Sequence, residues 1–383
     1  MTTESEIQNG DPNSAEERPT SPQVEALLAA IDGASFAEWY REREFARNIR
    51  EGQPYFNGPG RTPAPNRHSP SQLLQCHRKA LYRQHNAPEE EPDPQGIFWI
   101  GSRFEEEIIV PYLASTIGEN EYVRNSMWID FTCKTSVGEI RIKGETDPVI
   151  VDRESEPLLL TESKTKRTID TLDSPEPHHV AQTHCYLYGL TQMSDRRVTD
   201  ALLLYGSRTS LDLKAFHVEF DPWFWRQVVL SWAGNHTQLR LDETLPPADP
   251  EQSWECDVCS YSHRCGEADK TPFRDVDTTG LLPRFEYPKP KVVDYLDSHD
   301  GARLTPTLAR RYPDLTEQYG VHDWKCECCS ATYEFEEFDP DNAITHDNDL
   351  ADTPLCPSCA SDQYPVPLTG PPPSDQPLPK SHT

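Results

Sequence analysis

Asp147, Glu162 and Lys164 stand in GETD and, beyond it, TESK: two acids and a lysine at the ends of adjacent strand-like segments. Hydrolysis of a phosphodiester needs a cation that neutralises the phosphate and generates hydroxide from water. Carboxylates hold hard divalent ions, Mg2+ or Mn2+, that do both. Glu162 and Lys164 alternate on one strand, so both project from the same face. Glu162 can then share an ion with Asp147, while Lys164 faces the attacking water or the scissile phosphate. Gly144, at the break before Asp147, is expected to let a substrate backbone approach closely. An acid two residues before a lysine is common on any exposed strand. Here the tetrapeptide follows the apolar run LLL and a Gly-x-x-Asp, which sets it apart from ordinary surface charge.

Eleven cysteines supply a second chemistry. Cys256, Cys259 and Cys265 form a C-x2-C-x5-C run in CDVCSYSHRC, and Cys76 stands alone far upstream in SPSQLLQCHRKALY. Three clustered thiolates and one distant one can pin the two ends of a domain to a single soft metal centre, closing a very long loop. Four thiolates suit an iron–sulfur cluster and also tetrahedral zinc. Near the C-terminus, Cys326 with Cys329 and Cys356 with Cys359 make two C-x2-C knuckles, the pattern of a zinc ribbon that binds Zn2+. Cys328 is the spare thiol there, or replaces Cys329 in a tighter knuckle; the spacing favours Cys329. The ribbon reads as a structural module, and its sharper reading is contact with nucleic acid or a partner protein. Cys133 and Cys185 fall on a strand and a helix and read as small buried hydrophobes.

The acid–acid–lysine segment resembles the PD-(D/E)XK nuclease superfamily, particularly its RecB-like branch. That resemblance implies a restriction-endonuclease-like α/β fold in which Asp147 and Glu162 bind metal and Lys164 acts on the attacking water. It also implies that Gln182 and Tyr186, in AQTHCYLYGL, help hold DNA from the next helix. The family's first motif places a histidine four residues after a helical glycine; this chain has Glu105 after Gly101, in GSRFEEE. Glu105 is accordingly taken as the third metal ligand. The cysteine arrangement resembles the iron–sulfur subfamily, which includes the CRISPR-associated RecB-like exonucleases. In that subfamily a 4Fe–4S cluster joins the chain on either side of the nuclease core. The implied activity is a metal-dependent deoxyribonuclease, an exonuclease on single strands or DNA ends, in DNA repair or CRISPR spacer processing. The alternative is a non-catalytic module that uses the same fold and ribbon to bind nucleic acid or protein.

The elements that would position these residues follow from pattern. Residues 1–22 are a polar acidic arm expected to be disordered. Residues 23–68 are a helical extension and linker, with Leu27, Leu28, Ile31, Phe36, Trp39 and Tyr40 on the apolar face of a helix over 23–50. The nuclease-like domain spans 69–270. Ser69 would cap a helix started by Pro70 that carries Cys76, and 97–117 forms a second helix. Strands are expected over 121–131, 138–152 and 157–164, a helix over 177–192, strands over 198–206 and 211–220, and a Trp-rich helix over 221–241. This order predicts a mixed sheet flanked by helices. Residues 271–320 read as a weakly structured connector with one helix near 306–319, residues 321–363 as the ribbon, and residues 364–383 as a disordered Pro-rich tail.

Composition sets the outer bounds. With no signal peptide and no apolar run able to cross a membrane, the chain is expected to be soluble and cytoplasmic, where thiols stay reduced and serve metals. The net charge of -28, from 64 acids against 36 Lys and Arg over 383 residues, is unusual for a protein that binds nucleic acid. Affinity for phosphates normally comes from a basic face. The acidity is spread along the whole chain, as in a protein adapted to a high-salt cytoplasm, where self-repulsion is screened. The rival explanation is a ligand other than nucleic acid.

Overall fold

The computed structural model describes residues 62–92, 94–266, 278–338, 353–361 and 365–376, with scattered positions between 26 and 49. The acidic arm over 1–22 and most of the linker lie outside the described residues. The chain divides into two units, Met1–Asn57 and Gly58–Thr383. In the first, Phe36, Trp39 and Tyr40 are helical, and the Phe36 ring lies 5.9 Å from that of Trp39 and 6.5 Å from that of Tyr40.

The second unit carries two larger sheets among the described residues. Strands β1 (Arg67–His68), β3 (Trp128–Thr135) and β4 (Gly138–Glu145) form one, in the order β1-β4-β3. Strands β2 (Tyr122–Arg124), β5 (Val149–Val151), β6 (Pro157–Lys166), β7 (Asp200–Ser207) and β8 (Leu213–Glu219) form the other, in the order β2-β5-β6-β7-β8. In this second sheet β6 and β7 run parallel and every other neighbouring pair is antiparallel. The parallel pair requires a crossover, which helix α4 (Pro177–Met193) supplies.

The apolar residues of α4, among them Ala181, Cys185, Leu187 and Leu190, pack with Ile129, Ile140, Leu160, Leu203 and Trp232 into the main core. Gly189 permits that closeness, because a Cβ there would lie 2.9 Å from Ile129. Cys133 and Cys185 are buried, as small hydrophobes should be.

Two segments expected to be single strands, 121–131 and 138–152, are each divided between the sheets. The second breaks at Thr146–Pro148 rather than at Gly144. The break is fixed by hydrogen bonds: Thr146 donates its N–H to Met127 (2.9 Å), and Thr161 donates its N–H to the Pro148 carbonyl (3.0 Å). Gly144 does not open space for a substrate. A Cβ there would sit 2.6 Å from Cδ of Pro70, so the glycine admits the turn that leads to Cys76.

The helix expected from Pro70 is a short 3-10 turn, Pro70–Gln72, without a Ser69 side-chain cap. The α-helix begins later, as α1 (His77–Gln84), with Cys76 at its N-cap position. The helix expected over 97–117 is present as α2 (Gln95–Phe104) and α3 (Val110–Thr116), joined by a π-helical segment, Glu105–Ile109. The Trp-rich helix comprises α5 (Pro222–Phe224), a π-helical segment and α6 (Leu230–Leu241).

A short helix, α7 (Ser262–Cys265), carries the last cysteine of the triplet, and beyond it the connector is more ordered than its composition suggested. Helices α8 (Lys289–Ser298) and α9 (Pro306–Arg311) enclose a separate core with Leu281, Leu282, Tyr287, Val292, Leu304 and Leu308. The ribbon strands β9 (Trp324–Lys325) and β10 (Thr332–Tyr333) pair antiparallel. The Pro-rich tail is docked over 365–376. Thr369 exchanges backbone hydrogen bonds with Lys325 (2.7 and 2.8 Å), and the Gln376 amide pairs with both backbone groups of Leu281. A few backbone bonds and a buried Leu368 suffice to hold a segment whose composition alone reads as disorder. No helix among the described residues is long and apolar enough to cross a membrane.

Candidate active site and cysteine centres

Asp147 lies where the chain passes from one sheet to the other, and Glu162 and Lys164 lie on β6, the central strand of the larger sheet. The alternation of β6 brings these two side chains together, with Lys164 Nζ 2.6 Å from Glu162 Oε1. Glu162 is fully buried, and apart from that ion pair neither of its oxygens meets a hydrogen-bond donor. Ser163 joins the remaining acids. Its N–H donates to Asp147 Oδ2 (2.7 Å), and its hydroxyl lies 3.0 Å from both Asp147 Oδ2 and Glu105 Oε2.

Glu105 reaches the site because α2 packs closely on the sheet. Phe104 fills the space over Gly206 on β7, where any Cβ would clash with the ring. The π-helical segment then opens directly at Glu105; such bulges recur at functional sites.

The electrostatics follow from burial and from the mutual charge of the three carboxylates. Burial, then the charge of Asp147, raises Glu105 to about 7. Burial and Asp147 likewise raise Glu162 to about 8. For Lys164, burial opposes the charged form, but Glu162 and Asp147 outweigh it and the ammonium is held above its ordinary value. The Ser163 hydroxyl, within reach of both Asp147 and Glu105, opposes part of the rise at Glu105. Fully ionised, the set would be short of positive charge, and its hard oxygen donors suit a divalent cation such as Mg2+ or Mn2+.

Gln182 and Tyr186 lie one turn apart on α4, with Gln182 Nε2 donating to the Tyr186 hydroxyl (3.2 Å). They are only 7% and 4% exposed. Tyr186 feels the charge of Glu162, which contributes to raising its phenol well above the ordinary value, after burial. The pair therefore backs the carboxylates.

Sequence reasoning missed Ser163, because the two-residue period that selects Glu162 and Lys164 assigns it to the other face. It also missed the group formed by Glu176, His178 and His179, whose ligand atoms lie within 4.8 Å of one another at the start of α4. His179 Nδ1 lies 2.9 Å from the Tyr205 hydroxyl, and Lys166 pairs with Glu176. Adjacent histidines just before Gln182 are the only sequence signal for that group.

Cys76, Cys256, Cys259 and Cys265 all line one small cleft, partly open to solvent, with Lys79, Tyr82 and Tyr261. Cys76 is held at the head of α1 by Asp249, which accepts from His77 N (2.8 Å), and by Trp232, which donates to the Gln75 carbonyl (3.2 Å). Arg78 reaches the Cys265 sulfur at 3.5 Å. The buried Glu90 accepts from the backbone N–H groups of His263 (2.8 Å) and Arg264 (2.7 Å), fixing the loop between Cys259 and Cys265.

The ribbon set is tighter. Sulfurs of Cys326, Cys329, Cys356 and Cys359 lie within 4.8 Å of one another, with Cys326–Cys359 at 3.7 Å and Cys329–Cys356 at 3.5 Å. Ligands about 2.3 Å from a tetrahedral zinc stand at about this spacing. Among the described residues the quartet around Cys76 is not drawn into such a group. Cys328 is exposed, outside the ribbon set.

The sequence model of the PD-(D/E)XK nuclease superfamily matches residues 34–266. No curated protein matches the chain. Among solved structures, the crystal structure of SSO0001 is similar at a TM-score of 0.37 and 16% identity, over 59% of this chain and 96% of that one.

Proposed function

The chain belongs to the PD-(D/E)XK nuclease superfamily, and from that premise we propose that it is a divalent-metal-dependent deoxyribonuclease acting on single strands or DNA ends. The observation that carries this reading is the pairing of Lys164 with the buried Glu162 on β6, next to Ser163, whose hydroxyl bridges Glu105 and Asp147. A divalent cation held by the three carboxylates would neutralise the scissile phosphate and lower the pKa of a water molecule beside it.

The chain's own residues do the remainder. Lys164, charged and held by Glu162, offers its ammonium to the attacking water or to a non-bridging phosphate oxygen. Ser163 fixes the carboxylates of Asp147 and Glu105 relative to each other. Gln182 and Tyr186, being buried, influence a bound strand by fixing the ground behind Glu162. Glu105 occupies the position of the family's first-motif histidine, and its contact with Ser163 supports its assignment as a ligand in that place.

In this reading the quartet Cys76, Cys256, Cys259 and Cys265 holds a 4Fe–4S cluster that ties the two ends of the nuclease domain. The wider spacing of that quartet supports a cluster over zinc. The ribbon cysteines hold Zn2+, and the ribbon offers a surface for a protein partner. DNA repair and CRISPR spacer processing are the two pathways this chemistry fits. In the test, Glu162→Gln should abolish Mn2+-dependent cleavage of DNA while the circular dichroism spectrum stays unchanged; wild-type cleavage by the folded variant removes Glu162 from the site.

A further inference from the structure

The leading turns of α2 carry Ile97, Phe98, Trp99 and Ile100 in succession, and these side chains are 48, 64, 48 and 38% exposed. A helix that is apolar on every side normally belongs in a core. Among the described residues, burial of this helical run begins further along, at Phe104 and Ile109. Four consecutive large apolar groups in solvent mark an interaction surface rather than the scattered exposure common to all proteins.

The surface is continuous with the candidate active site, because Glu105 lies on the same helical run. From Trp99 to Glu105 the helix rises roughly 9 Å, so a strand seated at the carboxylates passes close to these rings.

Charge indicates what the surface must provide. With a net charge of -28, the chain gains little affinity from counterion release, and salt reduces that further. Arg103, the cation nearest this surface on α2, is engaged by Glu106 (3.1 Å) and Glu107 (3.2 Å). Stacking of bases on aromatic rings is sequence-tolerant and does not depend on phosphate charge.

We propose that the exposed tip of α2, through Phe98 and Trp99, is a stacking platform for the unpaired bases of single-stranded nucleic acid entering the carboxylate site. The proposal rests on the nuclease reading and adds the feature that selects single strands. A duplex hides its base faces and gains nothing from the platform.

The test is fluorescence anisotropy of a labelled thymidine oligonucleotide on the full chain in EDTA, from about 0.1 to about 1 M KCl, beside an abasic oligonucleotide of equal length. The wild type should prefer the base-bearing strand by roughly tenfold for each ring engaged, and the ratio should persist as salt rises. Phe98→Ala with Trp99→Ala should bring both strands to the same affinity, while Phe98→Tyr with Trp99→Phe should keep the preference. Both side chains are exposed, so circular dichroism should not change.

Equal binding of the two strands by the wild type, or an undiminished preference in the double-alanine variant, overturns the platform; cleavage abolished by Glu162→Gln would still uphold the nuclease. A wild-type dimer that the alanine pair converts to monomer, with DNA binding unchanged, identifies a self-association surface instead and also overturns it. If the wild type neither binds nor cuts either strand, the nuclease reading falls as well.

Discussion

At the scale of single residues, the site depends on carboxylates kept close enough to disturb each other. Glu162, raised to about 8 by burial and Asp147, and Glu105, raised to about 7 by burial and Asp147, bind protons more tightly folded than unfolded. The sign follows from linkage. Between an unfolded carboxyl pKa of about 4.3 and these raised values, the folded state holds the extra protons, so stability falls as pH rises. Metal-stripped protein should therefore lose melting temperature steadily from about pH 5 to about pH 8, as followed by calorimetry in EDTA. The slope should shrink in Glu162→Gln, whose amide does not titrate. A wild-type melting temperature that is flat or rising over that range contradicts the crowding. The nearness of Glu162 to Lys164 was legible in the sequence because the two-residue period of a strand is a local signal. Ser163 was not, since its role arises from where Asp147 and Glu105 arrive in three dimensions.

At the scale of elements, helix α2 delivers Glu105 by packing Phe104 into the space that Gly206 leaves on β7. Gly206→Ala should force the helix outward, costing about 1–3 kcal/mol and weakening Mn2+ binding together with the melting temperature; calorimetry and metal titration read both. A variant that loses neither places the origin of Glu105's position elsewhere. The cysteine quartet makes a separate prediction. Cys76→Ser, purified without oxygen, should lose its iron and visible absorption while the ribbon keeps its zinc, as counted by elemental analysis. Undiminished iron would assign the cluster to other ligands.

Most helices and strands were legible from periodicity, and so was the mixed sheet with flanking helices. The change of sheet at Thr146–Pro148 was not, because β4 and β5 continue one alternating pattern across the break. The start of α1 at His77 was also hidden, since Pro70 and Ser69 carry the local signature of a helix start seven residues too early.

At the scale of the whole molecule, the second unit is threaded together by buried polar contacts. Arg264, fully buried between Cys259 and Cys265, donates to the carbonyls of Thr279 and Gly280 and to the Tyr287 hydroxyl, linking the loop of the cysteine triplet to the helical core around α8 and α9. Gln376 ties that core to the tail that also borders the ribbon. None of this was legible in a Pro-rich composition, because it depends on single long-range hydrogen bonds. The charge of -28 acts on the entire chain. Self-repulsion at that charge should make the melting temperature rise with KCl between about 0.1 and about 2 M, and a salt-independent transition would remove the halophilic reading. The central claim concerns the carboxylate site, and release of label from end-labelled single-stranded DNA tests it most directly. The assay uses anaerobically purified wild type and Glu162→Gln side by side in Mn2+ and high salt. Cleavage by the wild type alone, abolished by EDTA, is the predicted result. Equal cleavage by both proteins, or none by a wild type that retains its iron and binds Mn2+, contradicts it.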